Sequence, residues 1–407
     1  MLNLYIINET RRGAVYGVGT YIRELTVVLK DSNIKVYVVH LKSDKNEEEA
    51  EEMEDICHLH FPPPITQNIL FDWNKQSELY YRNVVYLLRL QIKDTENLVF
   101  HLNFNNNDKI AEELKKAFNC KVVAVVHYSE WGLIVYDNLP RLRSILKDES
   151  PDDFGRNLKK TFEEEQSFYS KADRVICLSN YMHDILCQDY KLEATKISVI
   201  PNGLTDTTKT KADINLLREK WKLSPEEKIL LFAGRIADSK GLGFLIKAFR
   251  NVLNEYPQSR LVIAGDGDFS KYTKETQDIC TRITYAGLLT KAQLYEWYCI
   301  ADVGVSPSLF ETFGYIAIEM MMHELPIVAT ATSGLNEVVD DTCGLKVPIM
   351  AYPDRVEIDT DLLAEKILYL LQHPAEAKEM GQNGRRRYLK EYSSEIFRSN
   401  MLKLYNL

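Results

Sequence analysis

Short runs of β-branched and other apolar residues alternate along the whole chain with longer stretches whose apolar positions recur at helical spacing. In the first half the runs are Leu4 to Ile7, Val36 to Leu41, Leu98 to Leu102, Val122 to Val126, Arg174 to Leu178 and Lys196 to Ile200. They read as strands buried on both faces, which belongs to a parallel sheet covered by helices. Thr20 to Lys30 and Phe154 to Ala172 carry the helical period between them. A second series has strands at Ile229 to Ala233, Arg260 to Ala264, Ile283 to Ala286, Val303 to Ser306 and Ile327 to Ala329. Helices separate these strands, one of them opening on Thr290-x-x-Gln293, the pattern of a capping box. After a helix ending near Tyr392, Ser394 to Leu407 closes the chain with Ile396, Phe397, Met401, Leu402 and Leu404 at helical spacing.

Between the two series, Pro201-Asn202-Gly203 favours a turn, and Thr205 to Lys211 is polar and short of apolar anchors, as a linker is. A chain of 407 residues is too long for one core. The expected division is an N-terminal domain over 1–205, a C-terminal domain over 206–393, and a terminal helix over 394–407 that returns to pack on the first domain. The expected class is α/β, with two Rossmann-like β/α/β domains facing across a cleft. Ligands of such sheets bind at the carboxyl ends of strands, so the loops that follow strands are where chemistry is sought.

Composition removes several classes. With 45% hydrophobic and 27% charged residues, 18 Gly and 13 Pro, the chain is globular, not disordered or fibrous. Most of the formal charge of -9 sits in Ser43 to Asp55, where eight acidic residues and Lys45 give -7. The remainder offers no basic face to collect the phosphates of a nucleic acid, and the acidic run reads as a solvated flap or helix face. Seven scattered cysteines, never in a C-x-x-C pair, suggest neither a disulfide frame nor a zinc ribbon. No basic n-region opens the sequence and no apolar run approaches ~20 residues, so the expectation is a cytoplasmic protein, with peripheral contact at the inner membrane face allowed. Cys57-His58-Leu59-His60 has metal-ligand residues but no second cluster, and Pro62-Pro63-Pro64 beside it marks a rigid loop.

Two stretches carry chemistry. In Leu309-Phe310-Glu311-Thr312-Phe313-Gly314-Tyr315-Ile316-Ala317-Ile318-Glu319 a strand gives way to a helix, with glutamates eight positions apart. A helix N-terminus supplies backbone N–H donors and a positive dipole end suited to a diphosphate, and Gly314 lets a ligand approach the backbone. Glu319 stands in an apolar stretch, where an unpaired carboxylate is costly. The second stretch, Phe232-Ala233-Gly234-Arg235 to Lys240-Gly241, puts two cations in a loop between strand and helix, where they can neutralise a diphosphate.

Together with Ile263-Ala264-Gly265-Asp266-Gly267, Tyr285-Ala286-Gly287-Leu288, Pro307-Ser308, Pro326 to Thr330, Ser333 to Val339 and Gly344 to Pro348 in this order, these stretches resemble the retaining GT-B glycosyltransferases of family 4. Gly17-Val18-Gly19-Thr20-Tyr21 resembles that family's glycine-rich N-terminal loop, and His127 follows a strand where the family places a histidine near the sugars, although Tyr128 stands where Asp often follows. The resemblance implies sugar transfer from a nucleoside-diphosphate sugar, UDP-sugar first and GDP-sugar next, to a saccharide, lipid-linked or peptide acceptor hydroxyl. It implies retention of configuration and no bound metal or other cofactor. Arg235, Lys240, Glu311 and His127 would be the catalytic group. Gly17, Gly19, Gly234, Gly287, Leu288, Phe313, Gly314, Tyr315 and Glu319 would bind the donor, with Glu319 on the ribose hydroxyls. The alternatives are a nucleotide-sugar epimerase or phosphorylase on the same fold, and a non-catalytic nucleotide-sugar-binding subunit.

Overall fold

The computed structural model describes residues 1–9, 17–63, 73–105, 107–208 and 213–405, and its chain divides into two compact units. The first comprises Met1–Glu130, Ser150–Gly203 and Ser394–Leu407; the second comprises Trp131–Glu149 and Leu204–Ser393.

The strands of the first unit are β1 (Leu2–Glu9), β2 (Ile34–Leu41), β3 (Glu49–Met53), β4 (Ile56–Phe61), β5 (Leu98–Leu102), β6 (Cys120–Val126), β7 (Arg174–Cys177) and β8 (Ile197–Val199). Among the described residues they form one sheet in the order β3-β4-β2-β1-β5-β6-β7-β8, parallel except for β3 on β4. β1 is central, with Tyr5 opposite Tyr37 of β2 and Phe100 of β5. Leu4, Ile6, Ile7, Phe100, Leu102, Val122 and Ala124 are all fully buried, as helices on both faces require.

The second unit has β9 (Lys228–Ala233), β10 (Ser259–Ala264), β11 (Ile283–Gly287), β12 (Val303–Ser306), β13 (Ile327–Ala331), β14 (Gly344–Ala351) and β15 (Val356–Ile358). Their order is β11-β10-β9-β12-β13-β14-β15, with only the β14–β15 pair antiparallel among the described residues. The helix Leu242–Glu255 buries Leu242, Leu245, Ile246, Phe249 and Val252 completely, in one core with Leu363 and Ile367 of the helix Thr360–Gln372. Each such side chain contributes roughly 1.5–3 kcal/mol on leaving water.

The structure departs from the sequence reading in several places. The acidic run is not a free flap: Glu49–Met53 is an edge strand paired with β4, its Ala50 opposite Leu59. Cys57 to His60 lies in β4 itself, not in a rigid loop, and His58 and His60 stack with His40 of β2. Among the described residues no group of three or more His, Cys, Asp and Glu side chains is arranged to hold a metal ion. The segment Trp131–Glu149, expected within 1–205, packs in the second unit. There Trp131 faces Phe310, Asn138 Nδ2 donates to the Tyr352 carbonyl (2.6 Å) and Arg141 to the Asp354 carbonyl (2.8 Å). The polar stretch read as a linker is anchored to the same unit by the Asp206–Arg385 ion pair and by Leu204 N on the Tyr392 carbonyl (2.9 Å); its residues 209 to 211 lie outside the described residues. Among the described residues no helix is long and apolar enough to cross a membrane.

The terminal helix Ser394–Tyr405 belongs to the first unit and packs on the helix Gly17–Leu29. Phe397 meets the Tyr21 ring edge-on (5.7 Å), and Arg398 donates to the carbonyls of Val28 and Lys30 near the end of that helix. The last carbonyls of a helix have no partner within it, so a guanidinium there is well used.

Glu165, on the helix Asp153–Lys171, is a buried carboxyl of the first unit. It accepts from Glu130 N (2.8 Å), Asn105 Nδ2 (2.7 Å) and the Tyr190 hydroxyl. Burial pushes its pKa up to about 7, against these hydrogen bonds, which favour the charged form. An unfolded glutamate titrates near about 4.3. Between the two values the folded state holds a proton that the unfolded state has lost, so the stability from this group is complete at low pH and is lost as pH rises towards neutrality. In Glu165→Gln that component should vanish. The melting temperature of the wild type is therefore expected to decline relative to the variant between about pH 4.5 and 7, read by scanning calorimetry; parallel curves would show a carboxyl charged throughout.

Candidate active site

The site of the second unit is assembled at the carboxyl ends of its strands. The loop after β9 begins at Gly234, whose N–H donates to the Ala264 carbonyl at the end of β10 (2.9 Å); Gly265 N in turn donates to Gly287 O at the end of β11 (2.8 Å). Three strand ends are thus laced together by backbone. Arg235 stands exposed on this loop, and Leu288 is 61% exposed just beyond β11.

Lys240 ends a short 3-10 turn, Asp238–Lys240, and is followed by Gly241 at φ 68°. A Cβ at Gly241 would lie 1.9 Å from the Pro307 carbonyl oxygen, so only glycine lets this loop settle against the chain after β12. Leu309 N donates to Ser239 O (2.8 Å) across the same contact. The result is an ion pair between Lys240 Nζ and Glu311 Oε2, both side chains 22% exposed. Glu311 is held in turn by its backbone N–H on Ser333 Oγ (3.2 Å).

Gly314, at φ 104°, caps the helix Tyr315–Met322. Phe313 is buried and Tyr315 half-buried at this turn. The first N–H groups of such a helix point out of its end, and its dipole is positive there, a few residues beyond Glu311, the partner of Lys240. Gly234, Arg235, Lys240, Glu311, Phe313 and Gly314 therefore all follow the carboxyl ends of two neighbouring strands, β9 and β12, and Tyr315 opens the helix after them.

Glu319, one turn into the helix, is completely buried. Its Oε1 pairs with Lys291 Nζ and its Oε2 accepts from the Tyr298 hydroxyl (2.9 Å), while His323 Nδ1 bonds its backbone carbonyl (2.8 Å). Lys291 and Tyr298 both come from the helix Lys291–Ile300, whose capping box joins Thr290 N to Gln293 Oε1 (3.1 Å) and Gln293 N to Thr290 Oγ1 (3.3 Å). Burial and the adjacent Glu319 carboxylate raise the Tyr298 pKa well above its usual range, so this phenol stays a donor. Neither partner was read from the sequence. The signal was their spacing of seven on a helix whose start the capping box marks, which puts both on one face.

The remaining predicted residues belong to the first unit. Gly17 and Gly19 lie within the first turn of the helix Gly17–Leu29, not in a loop before it. A first turn tolerates them because its N–H groups have no intrahelical partners and little helical order is lost there. His127 directly follows β6 and is 9% exposed. Its Nε2 is 3.0 Å from Asn103 Oδ1 and its ring meets the Tyr21 ring at 4.5 Å, nearly perpendicular. Burial pushes its pKa down to about 3, which keeps the imidazole neutral.

The pairing of Glu319 separates two costs. Tyr298→Phe deprives a fully buried carboxylate of a donor that water cannot replace, and is expected to lower unfolding free energy by about 1.5–3 kcal/mol. Lys291→Met removes a cation whose side chain is 44% exposed, where water can step in, and should cost about 1 kcal/mol or less. Urea unfolding of the two variants reads the difference; equal losses would mean that the carboxylate is open to water.

Residues 15–207 match the profile of Glycosyltransferase Family 4 and residues 227–373 that of the glycosyl transferases group 1. The alpha-monoglucosyldiacylglycerol synthase of Streptococcus pneumoniae is 32% identical over 184 residues, 43% of this chain and 41% of that protein. The chain spans about half the length of the curated relatives it matches. Among solved structures, sucrose-phosphate synthase of Thermosynechococcus elongatus superposes with a TM-score of 0.79 at 22% identity, covering 100% of this chain and 98% of that one. The Anabaena protein HepE, solved in complex with UDP-glucose, gives 0.73 at 17% identity over 100% of both chains. With both profiles in order along the sequence, and with two parallel sheets of alternating helices, the chain belongs to the family 4 glycosyltransferases and has their GT-B fold.

Proposed function

We propose that the protein transfers a sugar, a hexose in this reading, from a nucleoside-diphosphate sugar to an acceptor hydroxyl with retention of anomeric configuration. The observation that carries this is the Lys240–Glu311 pair at the foot of the Gly314-capped helix. There a mobile cation, a carboxylate and a helix N-terminus share one loop edge, an arrangement suited to a sugar diphosphate. The leaving diphosphate gathers negative charge as the glycosidic bond breaks. Lys240, Arg235 and the helix N-terminus meet that charge with groups already in place, and preorganised charge of this kind is a large catalytic term. These groups supply the positive charge that a metal ion would otherwise bring. Glu311, released from Lys240 by the diphosphate, is left to accept from donor sugar hydroxyls.

Glu319 serves the ribose in this reading. Ribose hydroxyls would take the place of the Lys291 ammonium on Oε1, while Tyr298 keeps Oε2 and holds the carboxylate still. Gly287 and Leu288 would border the base, the exposed Leu288 packing on it. His127 would line the donor sugar. UDP is the first candidate base and GDP the next; the complex of the HepE protein with UDP-glucose supports that order. The acceptor would be a saccharide, a lipid-linked group or a peptide, with peripheral membrane contact where it is lipid-linked and a place in glycan or glycoconjugate synthesis.

The experiment is a thermal-shift screen with UDP, GDP, ADP and dTDP on wild type and Lys240→Ala. A nucleotide at a hundred times its dissociation constant adds about 2.7 kcal/mol of stability. One nucleotide is expected to stabilise the wild type and to lose most of that effect in the variant. Silence from all four would overturn the reading.

A further inference from the structure

We infer that Ser333 is a positioning residue for Glu311: it holds a backbone conformation that suits glycine, and what the serine brings there is a hydroxyl that accepts from the Glu311 N–H. The catalytic consequence rests on the reading of Glu311 as a contact of the donor sugar; the hydrogen bond and the conformation do not.

Strands β12 and β13 pair up to Ser306 and Ala329. Beyond that point hydroxyls of the second chain take over from the ladder. Thr330 Oγ1 donates to the Ser308 carbonyl and Thr332 Oγ1 to the Leu309 carbonyl (2.9 Å). Further on, Glu311 N donates to Ser333 Oγ (3.2 Å), and Leu335 N donates to the Glu311 carbonyl (3.3 Å). Between these two contacts Gly334 lies so close to Thr312 that a Cβ there would stand 2.0 Å from the Thr312 carbonyl oxygen. One short turn, Ser333 to Leu335, thus takes both backbone polar groups of Glu311. Rotation of its side chain is then the means by which the carboxylate can leave Lys240 for another partner.

Ser333 is buried and has φ 38°, a conformation in which any side chain crowds its own backbone and glycine does not. The glycine beside it does not relieve this, because Gly334 has an ordinary φ of -65° and serves the close approach to Thr312. A serine at the left-handed position is therefore a choice against stability, and its hydroxyl is what glycine would lack. An N–H can only donate, so Oγ accepts from Glu311. The hydroxyl's own proton has an acceptor in Thr332 Oγ1 (3.2 Å), whose single proton faces the Leu309 carbonyl (2.9 Å) and the Asp137 carboxylate (3.3 Å). With glycine at 333 the backbone would relax and the half-buried Glu311 would lose the acceptor that fixes its N–H. Strain kept where it places a site group is a recurrent feature of functional loops.

The test sets backbone preference against the hydroxyl with three variants of the full chain. Ser333→Gly and Ser333→Ala lack the hydroxyl; Ser333→Thr keeps it and adds a β-branch, which a positive φ tolerates worst. Stability should follow the backbone, with Ser333→Gly melting above Ser333→Ala and Ser333→Thr below the wild type. Site order should follow the hydroxyl. Hydrogen–deuterium exchange of the peptide that holds Glu311 is expected to quicken about fivefold or more in Ser333→Gly and Ser333→Ala and to stay near wild type in Ser333→Thr. Release of UDP from UDP-glucose should fall roughly tenfold or more in the first two variants, with the dissociation constant of UDP moving less than about threefold, and should largely survive in Ser333→Thr. Wild-type exchange and turnover in Ser333→Gly would overturn the inference, and so would activity that tracks melting temperature across the three variants. If Ser333→Thr fails to fold, the exchange and turnover of Ser333→Gly decide; if the wild type releases no UDP, the exchange pattern decides. A wild type that binds no nucleotide while the exchange pattern holds would defeat the proposed function and leave the Ser333 assignment standing.

Discussion

A parallel sheet covered on both faces has no wet side, and this constraint decides where the protein can do chemistry. Along β1, β6 and β9 the residues are buried almost without interruption, so a polar group placed mid-strand would have to be desolvated. The side chains of the candidate site accordingly lie beyond the strands' carboxyl ends, where the backbone stops pairing, while a polar side chain that stays within a strand, such as His101 of β5, is hydrogen-bonded. Gly234, Arg235 and Lys240 follow β9, Glu311 and Gly314 follow β12, and His127 follows β6. The loops there are tightly packed: Gly241 sits where a single methyl would collide with Pro307, and the ends of β9, β10 and β11 are laced by backbone hydrogen bonds. Loops so packed set the Lys240–Glu311 pair at the strand ends.

The two glutamates of one motif show how position divides labour. Glu311, on the loop, shares partial exposure with Lys240 and its pairing is exchangeable, because water or a phosphate can replace either partner. Glu319, one turn into the helix, has no water and must be paid for by fixed partners, Tyr298 from below and Lys291 at the surface. A carboxylate so held is a fixed hydrogen-bond acceptor. The sequence alone shows that a glutamate among methionines needs a partner. It does not show which one, because the donors come from a helix that the fold, not the chain order, lays alongside.

The same distinction explains what was legible. Strands such as Val122 to Val126 and Leu230 to Phe232 are uniform in burial and in residue type, so period and composition agree. Glu49–Met53 defeats that logic: an edge strand needs only one paired side, and its Glu-rich face is open to solvent, so its composition matches that of a solvated flap. β14 and β15 were missed as strands because Pro348 and the turn at 352 to 355 break the apolar pattern of a hairpin at the sheet's edge. Trp131–Glu149 was misplaced for another reason. Its anchors are Trp131 on Phe310 and side chains on the carbonyls of Tyr352 and Asp354, contacts more than 170 positions away in sequence that no local pattern announces.

The end of β5 shows the extreme of this coupling. Phe100, Leu102 and Phe104 are buried at and just beyond the end of β5; His101, Asn103 and Asn105 alternate with them in sequence and are buried as well. Each of the three polar side chains serves a different client. His101 joins Tyr21 to Tyr405 of the terminal helix, Asn103 joins β1 to His127, and Asn105 joins Tyr169 and the Tyr128 carbonyl to Glu165. A polar face of this kind is stable only when complete, because deleting one member leaves its clients unsatisfied where no water can repair the loss. This stretch ties the terminal helix, the central strand, the buried carboxyl and His127 together.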